Sequence, residues 1–231
     1  MRFGEKSFIL FYYQTDSRQA EGGVLMSVKI AWWGHSCYQI ESGGYSVVLD
    51  PYEDGYVPGC VPVRAEADEV LCSHEHEDHG ARQVVKLRNG GVSPFKVDVV
   101  HTYHDDRQGA LRGMNKIHIL DDGTFRIAHL GDLGCELSEA EVEQLKGLDL
   151  LLIPVGGFYT IDAVLAKKLV ERIKPRVTIP MHYRGEGFGY DVLSTVEAYT
   201  DLCDDVVVYP GYELELTKDM PKQTAVLRLR K

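Results

Sequence analysis

The 231-residue sequence lacks any apolar run of about 20 residues, the length that a membrane-spanning helix requires. Its most apolar N-terminal stretch, residues 8–13, has the sequence FILFYY, shorter than the roughly 7–15 residues of a secretory signal core. Positive charge is also scarce, because 25 Lys and Arg face 35 Asp and Glu, which gives a net charge of -10 at pH 7. Since the phosphate backbone attracts basic surfaces, this balance argues against a general nucleic-acid binder. We therefore expect neither a membrane nor a nucleic acid as partner.

Cysteine is sparse and unpatterned. The five cysteines form no CxxC pair and are odd in number, which is typical of reduced thiols rather than of a disulfide framework. We therefore expect a cytoplasmic protein. The composition, 44% hydrophobic and 26% charged, excludes wholesale disorder and suits one substantial globular domain.

The first 25 residues differ from the rest of the chain. Residues 16–23 are polar and end in two glycines, as in a linker, and Met26 directly precedes a strand pattern. We predict an N-terminal extension at 1–25 and one domain at 26–231. The alternative for the extension is an added edge strand at residues 7–13.

Short strand patterns recur along the domain, separated by turn residues. They fall at residues 29–33, 37–41, 45–50, 70–73, 96–102, 116–120, 125–130, 148–153, 176–179, 206–209, 213–217 and 225–229. Helical patterns occupy residues 81–88, 139–146, 161–173 and 192–202. Ser138 and Glu141 have the spacing of a capping box before the second helix. Strands that alternate with helices predict an α/β fold.

Residues 73–80 read S-H-E-H-E-D-H-G and carry the strongest chemical signal. In an extended segment His74 and His76 point the same way, so both imidazoles can reach one ion. Asp78 and His79 follow where the helix at 81–88 should begin, so they face another direction and can serve a second ion. Imidazole with carboxylate suits Zn²⁺, and also Fe²⁺ or Mn²⁺.

Further candidate ligands follow predicted strands. His104 comes after the strand at 96–102, Asp132 lies in a glycine-flanked turn after 125–130, and His182 follows 176–179. Each is a weak signal alone, because a single His or Asp at a strand end is commonly a cap or turn residue. Together they complete the ligand set that a two-metal hydrolase requires.

This ordered pattern, His-x-His-x-Asp-His, then a His, then Gly-Asp, then a final His, resembles the metallo-β-lactamase fold superfamily from about residue 29 to residue 182. Residues 33–36, 50–51, 129–134, 154–162 and 179–183 look like the branch of predicted metal-dependent hydrolases that includes L-ascorbate-6-phosphate lactonase-like proteins. The resemblance implies a four-layer αβ/βα sandwich.

The resemblance also implies a ligand set and two divalent metal ions, with zinc expected and manganese or iron as alternatives. One ion would be held by His74, His76 and His104, and the other by Asp78, His79 and His182, with Asp132 bridging them. His101 is the alternative to His104.

Six other side chains are candidates to support the ligands or to line the substrate pocket: His35, Asp50, Asn115, His129, Tyr159 and Tyr183. Asp50 could accept the second ring N–H of a metal-bound histidine, or it could be a turn residue before Pro51. His35 could face the metals or be purely structural. His129 is expected to support the centre rather than to bind metal.

Two ions that share a water can generate the nucleophile at neutral pH, so no Ser or Cys nucleophile is needed, and the sequence has no G-x-S-x-G elbow. Asp78 and Asp132 are the candidate catalytic residues. We therefore expect a hydrolase of a small ester, lactone or phosphoester, with homo-oligomerisation left open. Alternatives are a nucleic-acid-processing phosphodiesterase of the same fold, a non-catalytic metal-binding protein and a di-iron redox protein.

Overall fold

The computed structural model describes residues 27–88 and 91–231. The predicted extension at 1–25 lies outside the described residues, so its boundary stays a prediction. The described strands are β1 Val28–Gly34, β2 Cys37–Ser42, β3 Tyr45–Leu49, β4 Glu66–Ala67, β5 Glu69–Leu71, β6 Lys86–Leu87, β7 Lys96–Tyr103, β8 Met114–Asp121, β9 Arg126–His129, β10 Leu150–Pro154, β11 Val177–Met181, β12 Val206–Val208, β13 Glu213–Leu216 and β14 Gln223–Val226. The described helices are α1 Glu139–Gln144, α2 Ala163–Ile173 and α3 Glu197–Thr200.

The first sheet has five strands in the order β13-β1-β2-β3-β5. Its neighbours run antiparallel except β3 and β5, which run parallel. Gly43 and Gly44 join β2 to β3 with φ of 59° and 83°. Two consecutive positive φ values give the tight hairpin turn whose twist matches that of the strands.

The second sheet has seven strands in the order β12-β14-β11-β10-β9-β8-β7. In this order, the neighbouring strands from β12 through β14, β11 and β10 to β9 run parallel. The pairs β9–β8 and β8–β7 run antiparallel. All five residues of β10 are buried, as expected of a central parallel strand covered on both faces. The crossover from β10 to β11 contains α2.

The core lies between the two sheets. Ile30 and Ile40 of the first sheet and Ile117 and Ile179 of the second belong to one buried cluster, which Ala166 of α2 extends on the helical side. A smaller cluster on the other face of the first sheet joins Trp33, Cys37 and Val48 to residues of the chain beyond β3. This layering confirms the predicted α/β sandwich.

The helix predicted at residues 81–88 is wrong. The segment forms a 3₁₀ turn, Arg82–Val84, followed by the short strand β6. Val84 and Val85 are β-branched and disfavour a helix, and Val85 is buried in the smaller cluster. The N–H groups of Lys86 and Arg88 instead donate to the carbonyls of Ala65 and Ala67. Tertiary pairing therefore overrides the local helical pattern.

The predicted capping box is confirmed, because Ser138 and Glu141 exchange both hydrogen bonds at the start of α1. The helix predicted at 192–202 shrinks to α3, since Ser194 is drawn into contacts with neighbouring loops through the Gly156 carbonyl and the Arg184 N–H. The longest described helix, α2, has 11 residues. None of the helices in residues 27–88 and 91–231 combines the length and apolarity needed to cross a membrane.

Candidate metal centre

The candidate ligands meet at one edge of the sandwich because each follows a strand. His35 follows β1, the loop at 73–80 follows β5, His104 follows β7, and Asp132 and His182 follow β9 and β11. The carboxyl ends of strands at a sheet edge commonly form binding crevices in α/β folds. The topology thus converts residues far apart in sequence into one cluster.

Three histidines form the first ligand group. One nitrogen from each of His74, His76 and His104 lies within 4.8 Å of the others. His74 and His104 are buried, whereas His76 is exposed. His101, the alternative to His104, is exposed on β7 and belongs to none of the ligand groups found among the described residues. The geometry therefore favours His104.

The second ligand group contains the expected Asp78, His79 and His182, and also His35, again with ligand atoms within 4.8 Å of one another. His35 Nε2 lies 3.4 Å from Asp78 Oδ2, and its ring centroid lies 4.0 Å from that of His182. The backbone of His35 is left-handed, with φ of 52°, which is uncommon outside glycine and typical of functional positions. The structure thus brings His35 into the centre itself.

Asp132 lies between the two groups. Its Oδ2 is 3.3 Å from His104 Nε2, 3.1 Å from His79 Nε2 and 3.2 Å from His182 Nε2. One carboxylate oxygen therefore contacts histidines of both groups. This is the position that the family resemblance implies for a bridging ligand.

Asn115 holds the turn that carries Asp132. The Asp132 N–H donates to Asn115 Oδ1 at 2.9 Å, and Asn115 Nδ2 donates to the Leu130 carbonyl and to Thr102 Oγ1. A Cβ on Gly131 would lie 2.4 Å from Asn115 Oδ1, a distance that no packing tolerates. Asn115 is fully buried, so it supports the centre rather than lining the pocket.

Asp50 orients one histidine of each group. His79 Nδ1 donates to Asp50 Oδ2 at 2.8 Å, and Ser73 Oγ donates to the same oxygen at 2.6 Å. Because the ionised carboxylate only accepts, His74 Nδ1 must donate to Ser73 Oγ, 2.9 Å away. Both histidines then direct Nε2 into the centre, an arrangement typical of metal-binding histidines. From the sequence, Asp50 could be a support of a metal-bound histidine or a turn residue, and Ser73 was not singled out.

Several buried polar atoms of the centre have no hydrogen-bond partner within the described chain. They include His74 Nε2, His79 Nε2, both ring nitrogens of His35 and Asp132 Oδ1. Unpaired buried polar atoms are costly and rare. A cluster of imidazole nitrogens and carboxylate oxygens left in this way matches the donor set that binds divalent metals such as Zn²⁺.

The local electrostatics also suit a cation. Burial lowers the pKa of His74 to about 3 and that of His35 to about 4, so both rings are neutral and can act as ligands at pH 7. Burial would likewise lower the pKa of His79, but the carboxylates of Asp132 and Asp50 outweigh it and raise that pKa above its usual range. The space beside His79 therefore favours positive charge.

The remaining candidates divide between the centre's support and the core. His129 Nε2 donates to the Ser36 carbonyl at 2.8 Å, and its Nδ1 accepts from the Gly131 N–H at 3.1 Å, so neither nitrogen is free to bind metal. Tyr183, a candidate pocket residue, instead packs in the core with its ring 5.6 Å from that of Trp32.

A cavity of about 340 Å³ opens onto the centre. Its lining residues are Tyr56, His76, Glu77, Asp78, His104, Arg112, Asp132, Tyr159 and Tyr190. Tyr159 was a candidate from the sequence, whereas Tyr56, Arg112 and Tyr190 were not singled out as individual residues. They lie on loops, where spacing gives no signal for a single side chain.

Comparison with known proteins identifies the class. The model of the β-lactamase superfamily domain matches residues 29–182. A UPF0173 protein of Pyrococcus furiosus is 30% identical over 181 residues, which cover 68% of this chain and 83% of the relative. The chain therefore belongs to the β-lactamase superfamily and, more narrowly, to the UPF0173 family.

Other relatives agree over most of the chain. A UPF0173 metal-dependent hydrolase of Archaeoglobus fulgidus is 28% identical over 232 residues, covering 83% of this chain and 100% of the relative. A solved metallo-β-lactamase superfamily structure from Thermotoga maritima superposes with a TM-score of 0.71 at 31% identity, covering 88% of this chain and 100% of that one. The superfamily and the fold predicted from the sequence are confirmed.

Proposed function

We propose that the protein is a metal-dependent hydrolase that uses two divalent metal ions to cleave a small ester, lactone or phosphoester. The name of the Archaeoglobus fulgidus relative, a metal-dependent hydrolase, supports the reaction class. The observation that carries the two-metal form is the convergence of two histidine groups on a single oxygen, Asp132 Oδ2.

The residues divide into two sets around that oxygen. His74, His76 and His104 would hold one ion, and Asp78, His79 and His182 would hold the other, with Asp132 shared between them. The nitrogen-rich donor set favours zinc, with manganese or iron as alternatives. When bound, such a pair of ions lowers the pKa of a shared water towards about 7 and polarises the carbonyl or phosphoryl oxygen of a substrate.

The chain's own residues supply orientation. Asp78 and Asp132 both line the cavity, so their carboxylates can orient the attacking water towards a substrate held there. Asp50 and Ser73 fix the tautomers of His79 and His74, which keeps both Nε2 lone pairs available. Preorganised ligands of this kind avoid a reorganisation cost during the reaction.

The cavity favours a small molecule over a nucleic acid. Its volume of about 340 Å³ lies near the lower end of the range for small-molecule sites, roughly 300–1,000 Å³. Among the described residues that line it, three are acidic, Glu77, Asp78 and Asp132, and one is a lysine or arginine, Arg112. A groove that follows a phosphate backbone needs many more cations.

Substitution of His104, with the nearby His101 as control, tests the proposal. The His104→Ala variant should lose metal and turnover together, whereas His101→Ala, which changes an exposed histidine three residues earlier, should keep both. Zinc content is measured by elemental analysis after zinc loading and gel filtration, and turnover with a panel of nitrophenyl esters, lactones and phosphodiesters. Equal zinc content in the two variants would refute the assigned centre, and zinc without turnover of any substrate would refute the hydrolase.

A further inference from the structure

On the basis of the proposed hydrolase site, we propose that Arg112 binds an anionic group of the substrate, a carboxylate or a phosphate, beside the ring of Tyr159. The substrate class would then be small esters, lactones or phosphoesters that carry a negative charge separate from the bond that is cleaved.

Arg112 lies at the mouth of the metal-site cavity. It lines the same space as His76, His104 and Asp132, and its Cζ lies 5.5 Å from the centroid of the Tyr159 ring. The side chain is partly buried. A guanidinium held against an aromatic face keeps its outer N–H groups available for a planar anion.

The guanidinium has no carboxylate partner within 4.0 Å among the described residues. This distinguishes it from six of the other ten arginines among the described residues, which form ion pairs with Asp or Glu. Those paired arginines are Arg64, Arg82, Arg88, Arg126, Arg172 and Arg176. In a chain with a net charge of -10, an arginine left without an acidic partner inside a cavity indicates a bound anion.

The nearest acid in sequence, Asp105, is occupied by the backbone. Its Oδ1 accepts the N–H groups of Arg107 and Gly109, and its Oδ2 accepts those of Leu111 and Arg112, at 2.8–2.9 Å. These four bonds use the carboxylate and fix the loop that carries Arg112. Preorganisation of this kind lowers the entropic cost of binding.

The other charges in the cavity make Arg112 selective. Asp78 and Asp132 are proposed metal ligands, so their charge would be offset by the ions, and Glu77 is exposed to solvent. Arg112 is then the cation available to a substrate group that lies away from the metals. A charge-assisted guanidinium–oxyanion contact is stronger than a neutral hydrogen bond and is often bidentate.

Arg107 provides a matched control, because it lies on the same loop, is exposed and does not line the cavity. Binding of inorganic phosphate and of succinate to the zinc-loaded protein is measured by calorimetry for wild type, Arg112→Gln, Arg112→Lys and Arg107→Gln. We expect Arg112→Gln to weaken the preferred anion about tenfold or more, Arg112→Lys to weaken it less, and Arg107→Gln to change it less than about twofold. The anion that loses more affinity identifies a phosphate or a carboxylate as the recognised group.

Turnover gives a second readout. The ratio of kcat/KM for mono-4-nitrophenyl succinate to that for 4-nitrophenyl butyrate should fall in Arg112→Gln and not in Arg107→Gln, with zinc content unchanged in both. Equal anion affinities in the two Gln variants, or no binding of either anion to wild type, would overturn the role of Arg112. Should the wild type bind no zinc, the hydrolase proposal fails and the role of Arg112, which rests on it, fails with it. Zinc binding together with equal anion affinities in the two Gln variants overturns the role of Arg112 alone.

Discussion

The floor and the rim of the metal-site cavity are built differently. The floor consists of buried histidines and Asp132 at strand ends, held by Asp50 and Asn115 through hydrogen bonds with good geometry. The rim consists of Tyr56, Arg112, Tyr159 and Tyr190 on loops, with contacts as long as the 3.5 Å from Tyr190 Oη to Asp78 Oδ2.

This difference indicates that the floor and the rim have different roles. The floor has the rigidity that metal ligands require, because their orientation depends on outer hydrogen bonds. The side chains of the rim have few fixed partners, which suits the recognition of a substrate. We therefore expect floor substitutions to change stability and metal binding, and rim substitutions to change substrate kinetics alone.

The largest effect is expected from Gly131→Ala. The new Cβ would lie 2.4 Å from Ser73 Cβ and 2.4 Å from Asn115 Oδ1, at a φ of 55°. We expect a loss of at least about 2 kcal/mol in the free energy of unfolding, measured with urea. Gly123→Ala is the control, since Gly123 also has a positive φ, 82°, but open space around it. Equal losses in the two variants would contradict a tightly packed floor.

Asp50→Asn should have the next largest effect. The carboxylate accepts the Ser73 N–H through Oδ1, and His79 Nδ1–H and Ser73 Oγ–H through Oδ2. An amide places an NH2 donor against one of these donor groups, so the histidine tautomers are no longer fixed. We expect zinc affinity to fall roughly 10–100-fold, measured by competition with a chelator. Asp68→Asn removes a carboxylate that bonds the Ser46 N–H outside the centre, and it should leave zinc affinity unchanged. Wild-type zinc affinity in Asp50→Asn would contradict the role of Asp50 in orienting His74 and His79.

His35→Ala tests whether His35 belongs to the metal-binding floor of the cavity. Because His35 Nε2 is buried beside Asp78 without a hydrogen-bond partner among the described residues, we expect the variant to bind one of two zinc ions about tenfold more weakly. The stepwise zinc titration shows this as loss of affinity in a single step. Unchanged affinity in both steps would assign His35 to the substrate or to the core.

Tyr190→Phe should have the smallest effect. Its long contact with Asp78 predicts a change in kcat/KM of less than about fivefold, with zinc content unchanged. Tyr45→Phe is the control, since it removes a similarly long hydroxyl contact of 3.4 Å, to Glu69, away from the cavity. Loss of zinc in Tyr190→Phe would show that the rim also holds metal, and the functional difference between floor and rim would then be wrong.

The sequence predicted most of the floor because its ligands are chemically distinctive and follow recognisable strands. The run at 73–80 predicted two ligand directions, and His104, Asp132 and His182 each follow a strand of the second sheet. Asn115 and Ser73 escaped assignment to specific roles, because a buried Asn or Ser has no pattern of its own. Their function depends on which backbone groups the fold places beside them.

The rim and two helices could not be derived in the same way. Arg112 is recognisable as unpaired once the fold shows that Asp105 is occupied by four N–H groups. The segments at 81–88 and 192–202 both have helical spacing. In the first, backbone hydrogen bonds to Ala65 and Ala67 replace the helix, and in the second, loop contacts through Ser194 shorten it. Long-range contacts of this kind leave no local signal.

The position of the ions tests the central claim most directly. Crystals of the zinc-loaded protein, measured at the zinc absorption edge, should show two anomalous peaks on either side of Asp132. One should lie among His74, His76 and His104, and the other among Asp78, His79 and His182. A single peak, or peaks away from Asp132, would contradict the two-metal centre.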